Sequence, residues 1–254
     1  MEIFDTHAHL DLPDYNEERP LLIKRTFEQS VCGLINVGFD LNSSIRSTEL
    51  ARNNEKIWAS VGIHPHEAKD WNNDLAQKIR EMAKQPKVVA IGEIGLDYYR
   101  NLSEPSLQMK AFEDQILMAM ELDMPIIIHN RDASGDVVRT IKKYNPKKVL
   151  FHCFSSDTIV AKWAFDQGYM ISFGGSVTYP RNEWLWEVVK MTPDDLFVLE
   201  TDCPYLSPVP LRGRRNEPAY IRHTLIKVST LRDELPEETA NKTTRNAKRF
   251  FGID

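Results

Sequence analysis

The chain has 254 residues, 42% of them hydrophobic and 27% charged, which is enough apolar content for a sizeable core. Its formal net charge of −5 excludes a general nucleic-acid coat protein, so any contact with a polyanion must be local. The 3 cysteines show no CxxC spacing, which excludes a disulfide framework and a cysteine-based zinc site, and no apolar run approaches the length of a membrane span.

Short apolar runs alternate with longer helical patterns along the chain. The first strand is expected at Glu2–Asp5 and leads into His7 and His9. A second is expected at Gly33–Val37, followed by an amphipathic helix at Leu41–Arg52. The third, Ile57–Val61, runs into Gly62-Ile63-His64-Pro65-His66 before a helix at Leu75–Ala83. The fourth, Val88–Ile91, is followed by Glu93, and a helix is expected at Ser106–Leu122. The fifth, Pro125–Ile128, ends at His129, with a helix at Ala133–Lys143 and a joint at Asn145-Pro146. The sixth, Val149–Phe151, meets His152; the seventh is Tyr169–Ser172; the eighth, Phe197–Leu199, precedes Asp202. Two helices between Pro218 and Phe251 close the structure. Several strands are β-branched and apolar throughout, as parallel strands covered on both faces are. This order predicts an α/β fold, either a closed (β/α)8 TIM barrel or a large doubly wound sheet. The length suits a barrel formed by one domain over residues 1–254, with its active site at the C-terminal rim.

Of the 7 histidines, all but His223 fall at or just beyond a strand end. In a barrel, His7, His9, His64, His66, His129, His152, Glu93 and Asp202 would converge on one rim. Residues i and i+2 of a strand share a face, so His7 and His9 can grip one ion together. Four or more imidazoles and two carboxylates in one pocket need a cation, because polar groups buried without partners are costly. Mixed nitrogen and oxygen donors suit zinc, manganese, iron or cobalt, and magnesium where carboxylate and water dominate.

Other residues read less sharply. His64 is expected to contact phosphate or substrate, and His66 is a ligand, a substrate contact or a cap of the next helix. His223 reads as a solvated or packed helix residue. Cys153, next to His152, is expected in the layer beneath the helices, and a nucleophilic cysteine is not needed once a metal supplies hydroxide. The stretch Arg212-Gly213-Arg214-Arg215-Asn216 follows the eighth strand, where barrels frequently bind phosphate, and arginine forks match phosphate bidentately. Tyr98 and Tyr205 either stack a nucleobase or pack the loops.

The motifs Phe4-Asp5-Thr6-His7-Ala8-His9-Leu10, Gly62-Ile63-His64-Pro65-His66, Gly92-Glu93-Ile94-Gly95-Leu96-Asp97-Tyr98, His152-Cys153-Phe154-Ser155, Glu200-Thr201-Asp202-Cys203-Pro204-Tyr205-Leu206 and Arg212-Gly213-Arg214-Arg215-Asn216-Glu217-Pro218 span nearly the whole chain. Together they resemble the TatD-type metal-dependent deoxyribonucleases of the amidohydrolase superfamily. One departure is Ser155-Ser156, where that family often has Ser-Gly. The resemblance implies a TIM-type barrel with two divalent metal ions, magnesium, manganese or zinc. It implies that His7, His9 and Asp202 hold the first ion, that His129 and His152 hold the second, and that Glu93 bridges them. It also implies hydrolysis of DNA, often as a 3′→5′ exonuclease.

Such a pair of ions clamps an in-line phosphoryl displacement. Asp202 is then the expected general base, with His64 stabilising charge on the phosphoryl oxygens. The competing readings are amide, lactone or deaminase chemistry on the same site, and a non-catalytic binding scaffold. DNA is the expected partner, with no membrane and no obligate protein partner. A cytoplasmic location is expected from the cysteine usage and from an N-terminus without a basic or an apolar leader pattern.

Overall fold

A computed structural model describes residues 2–253 of the protein; the ends of the expected domain, residues 1 and 254, lie outside them. Its strands are β1 (Ile3–Ala8), β2 (Val31–Val37), β3 (Ile57–Val61), β4 (Val88–Asp97), β5 (Ile126–Arg131), β6 (Val149–Phe151), β7 (Met170–Phe173) and β8 (Phe197–Leu199). The helices are α1 (Arg19–Glu28), α2 (Leu41–Asn53), α3 (Asn73–Ala83), α4 (Pro105–Glu121), α5 (Ser134–Tyr144), α6 (Thr158–Asp166), α7 (Glu183–Met191), α8 (Ile221–Arg232) and α9 (Pro236–Phe251). The sheet runs strictly from β1 to β8 in chain order. A doubly wound sheet reverses its strand order at a switch point, so the sequential order selects the (β/α)8 alternative.

The chain divides into two compact units. The central unit runs without interruption from Asn36 to His152. It pairs β3 with β4, β4 with β5 and β5 with β6, all parallel. Its strands are apolar through Ala90, Ile91, Ile126 and Ile128, and α3 buries Leu75, Ile79 and Met82. The Asp40 and Asn72 side chains accept the Ser43 and Leu75 N–H groups, which starts α2 and α3 at those residues.

The other unit joins the chain up to Ile35 to the part from Cys153 onward. It pairs β7 with β8 and links Ala8 to Cys203 by a parallel bridge. Ile3, Phe4, Phe173, Phe197, Leu225 and Phe251 are buried in it.

Two strands outrun the sequence expectation. β4 continues through Glu93 to Asp97 instead of stopping at Ile91, and β5 continues through His129 to Arg131. Gly92 and Gly95 hide the extension of β4, because glycine is depleted in strands, and Asn130 weakens the signal of β5 in the same way. Gly95 has φ +145° and pairs with His129, and a Cβ there would lie 1.9 Å from the His129 carbonyl oxygen. Only glycine allows the two strands to stay paired at that point.

Candidate metal centre

In the unit that holds β1 and β8, His7 is the penultimate residue of β1, His9 lies just beyond the strand, and Asp202 follows β8. The backbone holds these segments together. The Asp202 N–H donates to the His7 carbonyl at 2.8 Å, and the His9 N–H donates to the Cys203 carbonyl at 2.9 Å. Beneath them lies Asp5, fully buried, accepting the Thr201 N–H at 2.9 Å, the Thr201 hydroxyl at 2.6 Å and the His7 N–H at 3.3 Å. Burial pushes its carboxyl up to about 7 against those hydrogen bonds.

The donor atoms of this cluster suit a small cation. His7 Nε2 and His9 Nε2 stand 3.2 Å apart, and Asp202 Oδ1 lies 3.8 and 3.5 Å from them. Bonds of about 2.0–2.1 Å in tetrahedral array place neighbouring donors about 3.3 Å apart. His7, His9 and Asp202 meet that spacing with one imidazole–imidazole–carboxylate set, all buried.

In the central unit, one oxygen of Glu93 is the focus. Glu93 Oε1 lies 2.6 Å from His129 Nδ1, 2.9 Å from His152 Nε2 and 3.6 Å from His64 Nε2. Burial disfavours the Glu93 carboxylate, but the rings of His152 and His64 and the hydrogen bonds from His129 and His152 outweigh it. The carboxyl is held well below the usual range. His64, Glu93 and His129 form a second potential cation-holding group.

The tautomer of His64 decides its part in that group. His64 caps a 3-10 turn at Pro65–Asp70, and its Nδ1 accepts the His66 N–H at 3.1 Å. Burial, then neighbouring His129, hold His64 neutral. Its single proton therefore sits on Nε2, which makes that atom a donor rather than a metal ligand. The cap expected of His66 is thus made by His64, and α3 is capped by Asn72. His66 instead directs Nε2 at Asp97 Oδ2, 2.9 Å away. Asp97 was not singled out from the sequence as a site residue, although it lies within a quoted motif.

The arginine loop divides. Arg212 and Arg214 are exposed, with Arg212 over the Tyr179 ring. Arg215 is committed to Glu18, Glu217 and the Asp14 carbonyl, and packs over Tyr15. Asn216 is buried and donates to the Thr201 and Tyr205 carbonyls at 2.8 and 2.7 Å. Arg215 and Asn216 thereby shape the loop after β8. Tyr205 is exposed with its ring 6.3 Å from that of His9, whereas the Tyr98 hydroxyl donates to Asp136 at 2.9 Å. His223 sits on α8, half-buried. Cys153 is also half-buried; β6 ends at Phe151 and Cys153 has φ +42°, so strand alternation no longer sets its direction. Cys203 is buried and its thiol is pushed up to about 12 by burial, which disarms it as a nucleophile. Among the described residues, no helix is long and apolar enough to cross a membrane.

Comparison with known proteins adds to this geometry. Residues 4–252 match the family model described as TatD related DNase. An uncharacterized metal-dependent hydrolase of Bacillus subtilis is 40% identical over 254 residues, covering 99% of this chain and 100% of that protein. A protein of Erwinia amylovora named 3′-5′ ssDNA/RNA exonuclease TatD is 34% identical, with 99% and 100% of the two chains covered. The crystal structure of a TatD homolog from Escherichia coli superposes with a TM-score of 0.93 at 26% identity, covering 99% of this chain and 98% of that one.

Proposed function

Because this chain belongs to the TatD-related DNase family, we propose that it is a divalent-metal-dependent hydrolase cleaving phosphodiester bonds of DNA, acting in the 3′→5′ direction. The observation that carries the reading is the spacing of His7 Nε2, His9 Nε2 and Asp202 Oδ1, which suits a small divalent cation. We assign His7, His9 and Asp202 to one ion, and Glu93, His129 and His152 to a second. Donor chemistry allows zinc, manganese or magnesium. Residues 1–254 act as one catalytic domain in this reading, which expects a single calorimetric unfolding transition. The count of 3 cysteines without CxxC spacing favours a cytoplasmic location.

Bound divalent ions supply Lewis acidity at the phosphoryl group and acidify the attacking water. Asp202 accepts the proton that this water loses. His64 Nε2–H donates to the phosphoryl oxygens as negative charge builds on them. Arg212 and Arg214 hold backbone phosphates, and Tyr205 offers a ring on which a base can stack.

The test uses purified protein stripped by a chelator and verified metal-free by elemental analysis. Single-stranded DNA labelled at its 5′ end should survive intact, and added manganese, magnesium or zinc should restore a ladder of 3′-shortened products. Asp202→Asn should cut cleavage by at least ~100-fold while leaving the melting temperature near that of the parent. Glu93→Gln should lower the metal content below two ions per chain. Undiminished cleavage by metal-free protein overturns the mechanism. Turnover of amides or lactones with no turnover of DNA, RNA or bis-nitrophenyl phosphate overturns the substrate class.

A further inference from the structure

Glu93 and Asp97 stand four positions apart on β4, so their side chains share a face of the strand. Between them lies Gly95, whose ladder partner on β5 is His129. The two carboxylates therefore close on the two nitrogens of one imidazole. Glu93 Oε1 is 2.6 Å from His129 Nδ1, and Asp97 Oδ2 is 3.1 Å from His129 Nε2.

Asp97 is built to hold that position. It is fully buried at the end of β4. Its Oδ1 accepts the Arg100 N–H at 2.8 Å, and its Oδ2 also meets His66 Nε2 at 2.9 Å. Its backbone N–H donates to Gln108 Oε1 at 2.9 Å, and the Gln108 amide donates back to its carbonyl at 3.2 Å. An ionised carboxylate can only accept hydrogen bonds. Both imidazole nitrogens that face it then carry protons, and His129 Nε2 is one of them; Glu93 Oε1 asks the same of His129 Nδ1, and a divalent ion held by Glu93 would replace the Nδ1 proton while Asp97 keeps the one on Nε2.

We propose that Asp97 is a positioning residue: it locks His129 as the Nε2–H tautomer and so presents Nδ1 as the atom offered to the second metal ion. This rests on the proposed assignment of His129 to that ion. His66 fills the remaining side of the same carboxylate, so its Nε2 is spent on Asp97 and is not a ligand. A carboxylate on the far nitrogen of a ligating imidazole fixes both its ring orientation and its tautomer.

The direct test needs no variant. Protein labelled with 15N in its histidines is loaded with zinc, and long-range 15N–1H correlation spectra read which His129 nitrogen carries the proton, with His129→Asn supplying the assignment. The expected result is a protonated Nε2 and a zinc-bound Nδ1. Zinc on Nε2, or a proton on Nδ1, overturns the proposal. A calorimetric zinc titration supplies a second readout. Asp97→Ala should weaken the second zinc equivalent by ~10–100-fold and leave the first unchanged, and Asp97→Asn, which keeps one accepting oxygen, should lose less. Parental affinity for both equivalents in Asp97→Ala also overturns it. Neither readout involves nucleic acid. A correct tautomer in a protein without nuclease activity would sink the proposed function and leave the role of Asp97 standing.

Discussion

Gly95 and His129 face each other across the β4–β5 ladder, with no room between them for a side chain. The Cβ of an alanine at position 95 would meet the His129 carbonyl oxygen at 1.9 Å, and the φ of +145° is itself strained for an L-residue. Gly95→Ala should therefore cost at least about 3 kcal/mol. Gly213→Ala is the control, since it also has a positive φ, +88°, but nothing within 4 Å. It should cost about 1 kcal/mol. Urea denaturation of both variants checks the difference.

Asp5 gathers three donors from two segments that are far apart in sequence: the His7 N–H, the Thr201 N–H and the Thr201 hydroxyl. Asp5→Ala leaves those donors buried and unsatisfied, at a cost of about 2–4 kcal/mol. Asp5→Asn keeps an accepting oxygen and should cost less. The Asp5→Ala change should also loosen the pairing of His7 with Asp202 and weaken the first zinc equivalent by about tenfold. Thermal unfolding and zinc titration of both variants report on it.

Arg215 and its neighbours in the loop should respond in opposite ways. Arg215→Ala removes the links to Glu18 and Glu217, all partly exposed, and should cost about 1 kcal/mol of stability. Arg212→Ala and Arg214→Ala should barely change the melting temperature. Each should weaken oligonucleotide binding and lower the slope of log affinity against log salt by about one. Stability curves and binding isotherms at several salt concentrations separate the two roles.

Glu234 anchors the start of α9. It accepts from Arg232 Nε at 2.8 Å, the Thr239 hydroxyl at 2.8 Å and Lys242 Nζ at 3.0 Å. Burial raises its pKa, but Lys242, Thr239 and Arg232 outweigh that and hold it below the ordinary 4.5. A carboxyl depressed by folding contributes stability above its unfolded value and loses it as pH falls through the folded value. The parent should therefore lose stability below about pH 4.5, and Glu234→Gln should flatten that part of the curve. Urea midpoints between pH 3 and 7 provide the measurement.

The alternation of strands and helices was legible because each element carries its own period. The six ligand candidates were legible because histidines and acids fall at or near strand ends, where a barrel opens. The true ends of β4 and β5 were not. Gly95 and Asp97 have low strand propensity, and the ladder to the neighbouring strand places them. Asp97 and Asp5 lay inside motifs already singled out. Their partners, His129 and Thr201, sit 32 and 196 positions away, so no local pattern marks the contact. Arg215 read as a phosphate contact because an arginine-rich loop after a last barrel strand has that look. Only the fold brings Glu18 and Glu217 beside it.

The bond between Asp5 and Thr201 spans 196 positions and joins the opening strand to a loop made late in synthesis. A ribosome adding 5–20 residues per second needs about 10–40 s to cover that interval. Throughout it, β1 emerges without the segment that will anchor it, while the uninterrupted stretch from Asn36 to His152 is already available to fold. The nascent chain thus carries His7 and His9 long before Asp202 arrives, and premature termination anywhere between His9 and Asp202 yields a product with only two of the three donors at that position.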